Sequence, residues 1–114
     1  MRLVSLTLVL GLAAAGCGAK GETALDAERY DYPIGSTDVA RGEEVFRANC
    51  NGCHPGGEKG YGPTIAGHPE PVGEVRAVVR NGKGRMPGFD ENKISPEDLE
   101  ALLAYVDSIG GIRH

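Results

Sequence analysis

Apolar and polar positions change their period several times along the chain. From Leu3 to Ala15 every residue is apolar except Ser5 and Thr7, behind a single charge at Arg2. A membrane span needs about 20 such residues, and this run is too short. A basic start, a short apolar stretch and small residues after it make the pattern of a secretory signal. Residues 1–16 are therefore expected to be removed on export. Residues 17–37 show no sustained period and carry four acidic side chains. They read as a tether, with Tyr30, Tyr32, Pro33 and Ile34 available to pack on the domain beyond it.

Three helical periods come next. Over Asp38–Asn49, residues Val39, Gly42, Val45 and Phe46 recur on one face. Ser36 or Thr37 is placed to cap that start. Over Pro71–Arg80 the stripe is Val72, Val75, Val78 and Val79. Pro71 suits a first helical turn, and Asn81-Gly82 suits a stop. Over Pro96–Ile109 the face is Leu99, Leu102, Leu103, Val106 and Ile109. Ser95 is its expected cap, Asp98 is placed to reach back, and Gly110-Gly111 ends it. No segment alternates as a strand should. Residues 38–114 are thus expected to form one all-α domain, a bundle of three or more short helices joined by Gly-rich loops.

Composition sharpens this picture. Of 114 residues 18 are Gly, aromatics are 5% and Trp is absent. So few large side chains make a thin core in a domain that already buries little surface. Something beyond side chains is expected to complete it. Three Cys, an odd number, argue against a disulfide framework. A net charge of −4 argues against a nucleic-acid partner. At the end of the signal, Ala14-Ala15-Gly16-Cys17 resembles the lipobox of bacterial lipoproteins, in which the Cys is lipidated. The resemblance implies a membrane anchor at Cys17. The other possibility is an ordinary cut after Ala13-Ala14-Ala15, leaving a free thiol.

The chemistry lies in Cys50-Asn51-Gly52-Cys53-His54. This is C-x-x-C-H, the attachment signature of c-type haem. Two thiols at this spacing can each add to a vinyl group of the haem. The next residue then offers its imidazole as the proximal iron ligand. A C-x-x-C redox pair would want a βαβ context, and a zinc site would need further Cys or His ligands. Met86 is the one Met left after signal removal, and it sits in a loop rich in Gly and Pro. That loop can carry its thioether to the distal face of the iron, with His68 as the competitor.

From Asp38 to Ile109 the chain resembles a class I cytochrome c with one haem. The resemblance rests on Gly42 and Phe46 ahead of C-x-x-C-H, on Gly62-Pro63, on Gly84-Arg85-Met86-Pro87-Gly88-Phe89, and on Leu102 with Tyr105-Val106. It implies a cytochrome c-like bundle around one covalent haem c. The Pro63 carbonyl is then expected to accept a hydrogen bond from the His54 ring. Gly42 is expected to admit Tyr105 where the first and last helices cross.

No acid–base pair or nucleophile stands near an open iron site, so electron relay without substrate chemistry is expected. The expected partners are redox proteins of respiratory type and, through Cys17, a membrane on the periplasmic side. No small-molecule substrate is expected. Arg80, Lys83 and Arg85 form a basic cluster beside the Met loop, against an acidic remainder that includes Glu97, Asp98 and Glu100. Two other readings stay open. One is a haem subunit or docking module of a larger oxidoreductase, the other a ligand-binding haem sensor.

Overall fold

The computed structural model describes Gly11 and residues 27–114. The signal segment and Cys17 lie outside the described residues. Among the described residues three complete helices form: α1 (Val39–Asn49), α2 (Val72–Asn81) and α3 (Pro96–Ser108), and residues 27–29 are also helical. A 3-10 turn, Pro55–Gly57, follows α1. Two short strands, β1 (Glu70–Pro71) and β2 (Ile112–Arg113), pair in parallel. A two-residue ladder has no alternation to read, so the expectation of no strand missed it. No helix among the described residues is long and apolar enough to cross a membrane.

The helix ends differ from expectation for local reasons. The cap of α1 is Asp38, whose carboxylate accepts from the Arg41 amide at 3.0 Å. Ser36 instead accepts from the Asp38 amide at 3.1 Å. Pro71 does not open α2. Its ladder with Arg113 holds it extended (φ −56°, ψ 140°), and the helix starts at Val72. At the other end Gly82 takes φ +77° and stops the helix. Ser95 caps α3 by accepting from the Asp98 amide at 3.1 Å. The Asp98 carboxylate does not reach back. It takes Nε and Nη2 of Arg41 at 2.9 and 2.8 Å, tying α1 to α3. A guanidinium fork is a stronger partner than one backbone amide. Its hydrogen bonds hold the Asp98 carboxyl below the usual range.

The core sits where α1 crosses α3. A Cβ on Gly42 would run into the Ala101 carbonyl and approach Tyr105 Cβ within 2.8 Å. The Phe46 and Tyr105 rings lie 5.2 Å apart at 57°. Val45, Val79, Ile94, Leu99, Leu102, Leu103, Val106 and Ile112 complete the buried cluster.

One core residue has no apolar signature. Arg76 is fully buried (0% exposed) beside the valine stripe of α2. Its Nε and Nη2 donate to the Glu100 carboxylate at 3.1 and 2.6 Å. The remaining donors go to the carbonyls of Tyr30 (2.8 Å), Tyr32 (2.5 Å) and Pro33 (2.9 Å). Arg has five N–H donors, and all five are used. The Tyr32 ring stacks 3.6 Å from the guanidinium carbon. Gly35 N–H adds a bond to Glu100 at 2.9 Å. Residues 30–35, expected as the end of a tether, are a strap fastened to α2 and α3.

Candidate cofactor site

The site begins where α1 ends. Cys53 and His54 amides both donate to the Cys50 carbonyl, at 3.2 and 2.9 Å. That single turn brings Cys50, Cys53 and His54 to one cavity. Cys50 is half-buried, Cys53 exposed and His54 buried. Asn51 fixes the following bend, its side-chain oxygen accepting from the Gly56 amide at 2.8 Å. Nothing in the spacing marked that role, although Asn commonly bonds the backbone in turns.

The imidazole is held on two sides. Its Nδ1 lies 2.7 Å from the Pro63 carbonyl. A carbonyl can only accept, so Nδ1 carries the proton and Nε2 keeps a free lone pair. A neighbouring acceptor of this kind sets both ring orientation and basicity in a metal-ligating His. Gly62 presses on the ring, and a Cβ there would collide with Cε1. The Gly62 amide is tied to the Cys53 carbonyl at 2.8 Å, so the glycine cannot drift away. The sequence showed Gly62-Pro63 but gave no sign that the glycine touches the ring.

Met86 lines the same cavity as His54. Its loop is stiffened by two backbone bonds between Lys83 and Met86, at 3.1 and 3.0 Å. The cavity is about 550 Å³, and Phe46, Val75, Val79, Leu102 and Val106 give it apolar walls. His68 also borders it but is exposed. His114 sits elsewhere, 2.9 Å from Asp107.

The donor chemistry fits a haem. Burial, with a smaller contribution from the Cys53 charge, pushes the Cys50 thiol up to about 11. A sulfur there is disfavoured as a free thiolate. An uncharged thioether suits the same place. Among the described residues no group of three or more His, Cys, Asp or Glu could hold a metal ion. An apolar cavity with two sulfurs at one edge, one imidazole nitrogen and one thioether matches a covalent haem c.

The basic cluster does not form as expected. Arg80 turns inward to the carbonyls of Phe89 and Ile94. Lys83 approaches Glu74 at 3.9 Å, and Arg85 reaches the exposed Tyr61 hydroxyl at 3.5 Å. Nor are Asp98 and Glu100 free acidic surface, since each holds an arginine. Sequence alone places like charges together, whereas partners far along the chain decide where each one points.

The family model described as cytochrome C oxidase, cbb3-type, subunit III matches residues 37–106. Cytochrome c6 of Synechocystis sp. is 34% identical over 87 residues, 66% of this chain and 72% of the relative. Cytochrome c6 of Limnospira maxima is 37% identical over 81 residues, 60% of this chain and 90% of the relative. The cytochrome c subunit of the cytochrome bc1 complex of Corynebacterium diphtheriae is 30% identical over 98 residues, 80% of this chain but 34% of the relative. No solved structure matches.

Proposed function

The chain belongs to the cytochrome c family as a class I member with one haem, and on that premise we propose how its own residues carry the electron. It binds haem c covalently, exchanges electrons with redox partners and is not an enzyme. Cys50 and Cys53 form the two thioethers. His54 is the proximal iron ligand and Met86 the distal one. The bound haem supplies a one-electron iron couple.

The rest is done by the chain. Pro63 keeps the His54 proton on Nδ1 and so leaves Nε2 for the iron. Gly62 packs against the ring and limits its movement. The apolar walls keep water away and disfavour the extra charge of the ferric state. A Met86 thioether as the second iron ligand and these apolar walls would both raise the potential of a bound haem. His54 and Met86 would hold the iron together, so that its ligands would change little on electron transfer. The observation that most supports this reading is the short His54–Pro63 contact in a cavity that Met86 also lines.

The carrier is exported and held to a bacterial membrane through lipid on Cys17. The bc1-complex relative favours a second reading, a haem subunit of a larger oxidoreductase. Purification in mild detergent separates the two, since a subunit brings its complex with it.

Absorption spectra test the ligation. The holoprotein is recorded oxidised, reduced, reduced with CO, and denatured in alkaline pyridine. Haem retained on denaturation and no response to CO are expected. Met86→Ala is expected to open the iron to CO and to lower the potential. An unchanged spectrum and potential in that variant would sink the assignment. Cys17→Ser is expected to move the protein from the membrane fraction to the soluble one. Continued membrane binding would mean that another anchor exists.

A further inference from the structure

The loop that carries Met86 is fastened mainly at its neck. It leaves α2 at Gly82 and returns at Phe89, whose amide donates to the Val79 carbonyl at 2.7 Å. Between these points Lys83, Gly84, Arg85 and Pro87 are exposed. The Lys83–Met86 bonds stiffen the loop internally but do not attach it to the domain. Lys83 and Arg85 reach Glu74 and the Tyr61 hydroxyl at the surface, while attachment to the core comes from Arg80, two residues before Gly82. Its Nη1 donates to the Phe89 carbonyl at 3.2 Å and to the Ile94 carbonyl at 2.6 Å. Ile94 is 1% exposed and belongs to the core cluster ahead of α3. One guanidinium thus joins the returning end of the loop to the rigid interior.

We propose that Arg80 is a positioning residue that keeps the Met86 loop shut over the cavity, and so governs how readily the thioether leaves the iron. The inference rests on Met86 as the distal ligand. A charged donor makes stronger hydrogen bonds than a neutral one, and Arg stays charged at any working pH. Both bonds leave one nitrogen, Nη1, whose two hydrogens can serve one carbonyl each, where a lysine ammonium on a shorter stem acts as a point charge. Loss of the guanidinium leaves both carbonyls without that donor and frees the neck to open. Opening exposes the iron without disturbing the Cys50 and Cys53 attachment.

The test is CO binding to the ferrous holoprotein by stopped flow, comparing wild type with Arg80→Met and Arg80→Lys. A CO-bound product requires that Met86 first leave, so the rate reports the open population. Arg80→Met is expected to bind CO at least about tenfold faster, the effect of one lost charge-assisted hydrogen bond. Arg80→Lys is expected to lie between. Both should keep their haem after denaturation and show a methionine–iron band when oxidised. A merely structural arginine would lower the melting temperature and leave the CO rate at 25 °C unchanged, which overturns the proposal. A wild type that binds CO freely overturns the Met86 ligation itself, and the clasp with it. Should Arg80→Met fail to accumulate, Arg80→Lys and hydrogen exchange of wild type decide. A Phe89 amide as slow as those of α3 supports a closed neck, and one as fast as an exposed loop amide overturns it.

Discussion

At the scale of single residues, the environment of His54 carries the chemistry. Its ring is fixed by an acceptor on one edge, Pro63, and by a bare backbone, Gly62, against one face. The glycine is as specific as the proline, because any side chain there occupies the imidazole's place. Gly62→Ala is expected to push the ring off the Pro63 carbonyl. The overpacking should cost about 1–3 kcal/mol in holoprotein stability, measured by urea denaturation, and should lower the potential in redox titration. A variant with wild-type stability and potential would show that the ring can shift freely. Cys50, Cys53 and His54 were legible because their spacing is itself the signal. The contact of Gly62 was not, since a glycine announces room for an approach but not which group approaches.

At the scale of elements, the crossing of α1 and α3 depends on Gly42. Two competing effects decide the outcome of Gly42→Ala. Helix propensity favours Ala by about 1 kcal/mol. Against it, the new Cβ meets the Ala101 backbone carbonyl, which cannot rotate away as a side chain could. The clash should win, for a net loss of about 2 kcal/mol. In a domain of this size that lowers the melting temperature by about 10 °C, checked by calorimetry on the holoprotein. All three helices and their apolar faces could be read from periodicity. Their caps were read less well. Asp38 displaced Ser36 and Thr37 at α1, and Pro71 was drawn into a ladder with β2. At α1 the contest was local, between adjacent residues that can all cap, whereas at α2 a distant strand offered the backbone a partner that the local pattern does not contain.

At the scale of the whole molecule, the buried Arg76 joins three parts of the chain: α2, α3 through Glu100, and the strap at residues 30–35. Removing one partner of such a buried pair leaves the other charge and three carbonyls unsatisfied. Arg76→Met is therefore expected to cost about 3–5 kcal/mol, measured by urea denaturation. The strap should come loose with it, so that chymotrypsin cuts after Tyr30, whereas Pro33 protects the bond after Tyr32. Equal resistance to cleavage in wild type and variant would show that the strap is held by other contacts.

What the sequence determined alone is whatever depends on spacing along one chain. The haem-attachment turn, the three amphipathic helices, the Gly-Pro pair and the lone methionine in its loop all belong there, because helical period and motif length are local properties. What only the tertiary structure decided is the pairing of charges and carbonyls across long separations. Arg41 finds Asp98, Arg76 finds Glu100 and the strap, and Arg80 leaves the surface for Phe89 and Ile94. A long, flexible, charged side chain follows no periodicity. Its place is set by which acceptor the fold brings within reach, and that is known only once the chain has folded.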